Sequence, residues 1–436
     1  MGSEPQTSRW RSVPFAEAID FQEGPGILAE EFRVSGVPLI RLSGLERGAR
    51  VLHGCDYLDE GRVEQRWSHF RVEEGDVLLS TSASLGRVAI VDRAAVGAIP
   101  YTGIIRMRPR TPALLPEFIP FLLRSRHFQV QVEAMGQGSV IRHFGPTHLR
   151  RMDVVLPPVL EQAAIARILG ALDDKIDLNR RTNETLEAMA RALFQSWFVD
   201  FDPVRAKAAG RAPAGMDGET AALFPSRLTQ SADAGEFPQG WKVAPLENVA
   251  EVVVGQSPPG ATYNERGEGT PLINGPAQYG ALFPTKTLWT TSTRLKLSAA
   301  GDLIFCVRGS TTGRRVRADG VYALGRGVCA IRSKSTWGQP FVELGVQADL
   351  GRMLAKTTGS VFPNLSATDI LAHPFVVAPE PIMRAFGRAT APLLERIGAS
   401  ECASTSFAAL RDTLLPKLLS GELSVAEAET TVGRAR

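Results

Sequence analysis

Apolar and polar positions follow one order along this chain and then follow it again. Short β-branched runs such as DVLLS (76–80) and DLIFCV (302–307), broken by Gly, Pro and Asn, predict strands joined by tight turns. An amphipathic stretch comes next in each half, LPEFIPFLLRSRHFQVQVEAM from Leu115 and QPFVELGVQADLGRMLAK from Gln339. Each then passes through a Gly-Ser-Val turn and a short strand ending in proline. These are QGSVIRHFGPTHLRRMDVVLPP at 137–158 and TGSVFPNLSATDILAHPFVVAP at 358–379.

A long helical pattern closes each half. In the first, Ile165, Leu172, Leu186 and Leu193 form a seven-residue ladder with Asn179 as its middle rung. Ile168, Leu169, Ile176, Met189 and Trp197 widen the stripe. A shift of 221 residues gives Phe386, Leu393, Phe407 and Leu414, with Ser400 in the middle. Two such stripes predict an antiparallel coiled coil in which Asn179 meets Ser400, a polar layer that sets register. A second reading has each stripe face its own domain's core. Pro392 predicts a start or a kink in the second helix. Helices of about 38 residues would span roughly 57 Å, more than one turn of duplex DNA at roughly 34–36 Å.

The repeat extends through the rest of each half. WRSVPFAEAI at Trp10 aligns with WKVAPLENVA at Trp241, and GVPLIRLSG at Gly36 with GTPLINGPA at Gly269. Their constant order identifies a tandem duplication. The expected fold is α+β. Two similar domains of mixed and antiparallel β-structure with short helices are separated by two long helices in a pseudo-twofold antiparallel coiled coil. The boundaries are a first domain at 1–158, a helix at 159–200, a linker at 201–240 rich in Ala, Gly and Pro, a second domain at 241–380, a helix at 381–422 and a disordered tail at 423–436.

Composition narrows the function classes. With 436 residues the chain is long enough for several cores. No apolar run of about 18 residues predicts a membrane span, and the first residues do not read as a secretory signal, so a cytoplasmic protein is expected. Cys55, Cys306, Cys329 and Cys402 are scattered, and the six histidines form no ligand pair, so no metal is expected. Net charge is +3, but residues 241–380 carry 14 Lys and Arg against 10 Asp and Glu. The first 174 residues contain no lysine, so their side-chain cations are arginines, a bias that genome composition also produces.

A search for catalytic motifs finds none. The two Pro-Pro pairs lack the Asn or Asp before them and the aromatic after them that an adenine-methylating loop needs. GSTTGRR at Gly309 is one residue short of a phosphate loop and has arginine where lysine belongs, so it reads as a basic β-turn.

The segment ALDDKIDLNRRTNETLEAMARALFQSWFVDFDPVRAK resembles the central conserved region of the specificity subunit of type I restriction-modification systems. GWKVAPLENVAEVVVGQSPPGATYNERGEGTPLINGP resembles the start of a second target-recognition domain, and LRDTLLPKLLSGEL the closing conserved region. The LEQ after Pro158 has no equivalent after Pro379, where EPIMRAFG stands. The resemblance implies a non-catalytic subunit. Each recognition domain would read one half of a split, asymmetric site in double-stranded DNA, and the helices would set the gap. Two modification subunits using S-adenosylmethionine and two restriction subunits using ATP and Mg would dock on it, with no cofactor in this chain and no membrane partner. A self-sufficient methyltransferase-nuclease and a free-standing DNA-binding repressor are the other classes considered, with a modification-only scaffold as a variant of the first.

The residue types that read bases or phosphates, in or beside expected turns, are Arg87, Arg106, Arg108 and Arg142 in the first half. In the second half they are Asn274, Gln278, Arg294, Arg308, Arg314, Arg315 and Arg317. Trp197 and Phe198 read as coiled-coil core or as a subunit-docking patch.

Overall fold

The computed structural model describes residues 10–46, 48–81, 86–136, 144–231, 235–355 and 364–434. The chain divides into two compact units, Met1–Arg180 with Ala403–Arg436, and Arg181–Cys402. Both boundaries fall inside the long helices. Each long helix therefore belongs partly to the core beside it.

In unit 1, strand Arg11–Pro14 pairs antiparallel with Asp153–Leu156. An antiparallel sheet has the order Ile19–Glu23, Ile104–Pro109, Val77–Ser80, Val88–Ile90. A second sheet has the order Phe32–Arg33, Asp56–Leu58, Val37–Ile40, Ile99–Pro100, its last pair parallel. Unit 2 repeats all three. Lys242–Pro245 pairs with Pro374–Val377, and one sheet runs Ala250–Val254, Val328–Ser333, Leu303–Cys306, Arg315–Arg317. The other runs Tyr263–Asn264, Trp289–Thr290, Thr270–Ile273, Ala323–Leu324, again with a parallel last pair.

Equivalent side chains hold equivalent turns. Asp76 is buried, accepts a hydrogen bond from the Glu73 amide at 2.7 Å and pairs with Arg108 at 2.8 Å. Asp302 does the same with the Ala299 amide at 2.7 Å and with both arms of Arg332 at 2.7 Å. Gly36 and Gly269 open matching strands with φ of 133° and 88°, and a Cβ on either would lie 2.1 or 2.2 Å from the carbonyl oxygen of Leu58 or Thr290. Only glycine fits that approach.

The two long helices, Val159–Phe198 and Glu380–Leu419, are continuous. In unit 1, Ile165, Leu169 and Leu172 share a core with Phe118, Leu149, Leu414 and Leu418. Asp173 joins Arg124 at 3.0 Å to Arg411 at 2.5 Å, bridging the first domain and both helices. In unit 2, Phe194, Trp197 and Phe198 pack on Phe386, with ring centroids 6.0, 5.7 and 4.9 Å away. Within each unit, an early part of one helix meets a late part of the other, so the pair is antiparallel. The stripe faces the partner helix, while its early half also faces the core of the domain it follows and its late half the core of the other domain.

Asn179 donates to Ser404 Oγ at 3.1 Å. One repeat step carries this pair onto Ser400 and Asn183, both buried. Three expectations change. The second helix runs unbroken through Pro392, flanked by the fully buried Phe386 and Thr390 and by Ile397. The stretch 201–240 is not a bare linker. It contains helices Asp202–Ala208 and Gly218–Leu223 and a hairpin of Leu228–Ser231 with Gly235–Pro238. Phe201, Val204 and Phe224 tie it into unit 2's core. The tail forms helix Val425–Arg434, opened by a reciprocal cap in which Ser424 Oγ accepts from the Glu427 amide at 3.3 Å and Glu427 accepts from the Ser424 amide at 2.9 Å. Ala428 is fully buried in unit 1's core.

The repeated aspartate is expected to carry stability. Asp302→Ala strands Arg332 and opens the 299–302 turn, and should cost roughly 3 kcal/mol, with Asp76→Ala similar. Urea denaturation reads this, and a loss below about 1 kcal/mol would show the pair to be an ordinary surface contact.

Candidate nucleic-acid interface

Four candidate arginines of unit 2, Arg308, Arg314, Arg315 and Arg317, lie in or beside one hairpin. The Gly309 amide region turns back through Gly313, with the Thr312 amide bonded to the Gly309 carbonyl at 3.1 Å and the Gly313 amide to the Cys306 carbonyl at 2.9 Å. GSTTGRR is thus a β-hairpin loop. Arg308 and Arg314 are exposed on it, and neither side chain makes a hydrogen bond or ion pair among the described residues. Arg315 lies opposite Phe305 and Arg317 opposite Leu303, so both side chains emerge on the sheet face that carries those buried residues. Arg317 is engaged there: it holds Glu343 through two bonds of 3.1 and 2.8 Å and donates to the Leu394 carbonyl at 3.5 Å. Arg315 has no such partner, and burial pushes its guanidinium below the usual value.

Asn274 and Gln278 form a second group. Gln278 Oε1 accepts the Asn274 amide at 3.1 Å, so its carbonyl is used internally. Asn274 lies against Gly325, where a Cβ would approach its Oδ1 to 2.0 Å. Arg294 is exposed, with no side-chain partner among the described residues.

In unit 1 the arginines are more committed. Arg106 and Arg108 alternate on strand Ile104–Pro109. Arg106 is 7% exposed, pairs with Asp20 at 3.1 Å, and is lowered by burial and then by the neighbouring Arg108. Arg108 is clamped by Asp76 and Glu73, and its hydrogen bond to Asp76 raises it. Arg87 reaches Glu46 at 3.3 Å. Arg142 lies outside the described residues.

Sequence reasoning missed two positions. Arg332 is the unit 2 equivalent of Arg108, and only strand register shows it. Arg41 stacks on Tyr101 at 4.2 Å and pairs with Asp56 at 3.3 Å. It follows Ile40 as Asn274 follows Ile273, at the end of the parallel-paired strand in each unit. One structural position therefore carries side chains of different hydrogen-bonding type, a guanidinium in one unit and an amide in the other.

Along the helices, Ile165, Leu172, Trp197, Phe198, Phe386, Ser400 and Leu414 are buried, while Leu186, Leu193, Leu393 and Phe407 are partly so. Trp197 and Phe198 lie in unit 2's core with Phe341 and Trp241. Gln162, of the LEQ triplet, is fully buried, donating to the Ala113 and Pro157 carbonyls at 2.7 and 2.8 Å and accepting from the Leu115 amide at 3.0 Å. One repeat step on stands Met383, which packs in unit 2's core. Among the described residues no cluster of His, Cys, Asp or Glu is arranged to hold a metal ion, and no helix is long and apolar enough to cross a membrane.

Residues 27–188 match the family model described as the Type I restriction modification DNA specificity domain. The type I restriction enzyme HindI specificity subunit of Haemophilus influenzae is 24% identical over 404 residues, covering 81% of this chain and 87% of that one. The MjaIX specificity subunit of Methanocaldococcus jannaschii is 24% identical over 363 residues, covering 81% and 79%. A third curated relative is matched over 66% of its length. The crystal structure of a type I restriction-modification S subunit from M. genitalium aligns over 94% of this chain and 96% of that one, with a TM-score of 0.58 and 15% identity, a likeness of fold.

The arginines divide by their partners, and substitution should separate them. Arg308→Ala should weaken duplex DNA binding and lower the salt slope by about one, leaving stability within about 0.5 kcal/mol. Arg108→Ala should chiefly lower the melting temperature. Salt titrations paired with thermal unfolding check this, and a reversed pattern would reassign both residues.

Proposed function

We propose, for a chain that belongs to the type I restriction-modification specificity-subunit family, that it gives a DNA-modifying complex its sequence specificity. One observation carries the proposal: two units of identical sheet topology, with different polar side chains at equivalent positions, on two continuous antiparallel helices. Each unit reads one half of a split, asymmetric site in double-stranded DNA. Two diverged domains in one chain meet an asymmetric target without dimerisation, whereas a dimer of identical subunits favours a palindrome.

The subunit is non-catalytic. In the assembly we propose, it carries two modification subunits, which use S-adenosylmethionine to methylate adenine. Two restriction subunits supply ATP- and Mg-dependent translocation and cleavage. The long helices set the gap between half-sites. Asn179 with Ser404 and Asp173 with Arg411 pin the register of the helix pair within unit 1.

Co-expression with a neighbouring modification gene, followed by mapping of methylated adenines by single-molecule sequencing, should give a split motif with a fixed gap. An intact complex that leaves no methylation would refute the reading. Matched four-residue insertions after Asn183 and Ser404 add about one turn, or ~6 Å, to each helix. They should change the gap by about one or two base pairs while both half-sequences stay the same. An altered half-sequence would overturn the spacer role.

A further inference from the structure

Beside the arginine hairpin, unit 2 contains a cleft of about 320 Å³, a volume at the lower end of ligand pockets. Its charged lining is Glu187 and Arg191 from the first long helix, Arg314, Arg315 and Arg317 from the hairpin, and Glu343 from helix Gln339–Ala355. The second long helix closes it with apolar side chains.

The charges do not balance inside it. Glu343 is taken by Arg317 through two hydrogen bonds, with both side chains largely buried. Glu187 reaches Arg191 at 3.3 Å, but both are about half exposed, so that pair is weak. Arg315 is left half-buried on the inner sheet face, with no ion pair or side-chain hydrogen bond among the described residues. Burial of this cation is costly, and Glu343 and Glu187 offset it only through space, without a hydrogen bond to it among the described residues.

The fold does not require this arrangement. In unit 1, Val88 lies opposite Leu79 and Ile90 opposite Val77, the register positions that Arg315 and Arg317 hold in unit 2. Arg191, one repeat step on, becomes Asp412. The same register positions therefore carry aliphatic side chains in one unit and arginines in the other, of which Arg317 is held by Glu343 and Arg315 has no hydrogen-bonded carboxylate among the described residues.

We propose that this cleft binds a phosphate group, seated on Arg315 with Arg314 and Arg191 at its rim. Guanidinium groups match phosphate oxygens in pairs, and the cleft lining carries more guanidinium donors than its two carboxylates satisfy. The phosphate belongs either to a small free ligand or to a nucleic-acid backbone. The site stands independently of the specificity-subunit reading, since it is tested on the full chain alone.

Calorimetric titration with inorganic phosphate and with pyrophosphate, at ionic strength held constant with KCl, should show saturable one-site binding. Arg315→Gln should weaken it about tenfold, the loss expected for one charge-assisted hydrogen bond. Arg191→Gln, a change on an exposed helix face, should also weaken it and serves if Arg315→Gln does not fold. Absence of saturable binding in the unaltered chain, or unchanged affinity in a folded variant of either residue, overturns the proposal. A short duplex that displaces bound phosphate identifies a backbone phosphate as the occupant, and simultaneous binding identifies a free phosphate ligand. Methylation mapping reads the specificity role separately, so either result can fail alone.

Discussion

Each long helix is committed on two sides at once, and the rest of the structure depends on that double burial. In unit 1, Ile165, Leu169 and Leu172 share one core with Phe118 of the recognition fold and Leu414 of the other helix. In unit 2, Phe198 lies 4.9 Å from both Phe341 and Phe386, again one residue from the domain and one from the partner helix. A helix turns about 100° per residue, so a single-residue slip would remove its stripe from both contacts. Each recognition fold connects straight into this constraint. Strands Asp153–Leu156 and Pro374–Val377 end only a few residues before the long helices begin.

Polar residues at the helix seam specify which register is kept. Apolar rungs alone tolerate sliding by a heptad, but the Asn179 bond to Ser404 and the Asp173 bridge between Arg124 and Arg411 do not. Gln162 adds a third anchor by binding the Ala113 and Pro157 carbonyls and the Leu115 amide. Met383 replaces it in unit 2, where Gln339 instead ties its helix to the neighbouring sheet, accepting the Ser333 amide at 2.8 Å.

The two units keep their turn clamps and change their faces. Asp76 with Arg108 and Asp302 with Arg332 are the same device used twice. Arg106 stands where unit 2 has Ala330, Arg41 where it has Asn274, and Val88 where it has Arg315. Changes of this kind alter the hydrogen-bonding groups the sheets carry while the strand pairing is kept, because backbone hydrogen bonds supply that pairing.

The sequence by itself determined the duplication, the α+β class, the two long helices and their polar middle, because these rest on periodicity and order that every segment carries locally. It also held the Ser-x-x-Glu cap at Ser424 that announces the last helix, a signal outweighed by the polar composition around it. Three aromatic and aliphatic anchors, Phe201, Val204 and Phe224, were lost in the Ala, Gly and Pro of residues 201–240 for the same reason. Only the tertiary structure decided which arginines are engaged. Arg106, Arg108 and Arg317 find carboxylates that are 86, 32 and 26 residues away, while Arg308 and Arg314 find none among the described residues. Strand register and burial, which arise between distant segments, set the partner of a charge, and a single stretch of sequence contains neither.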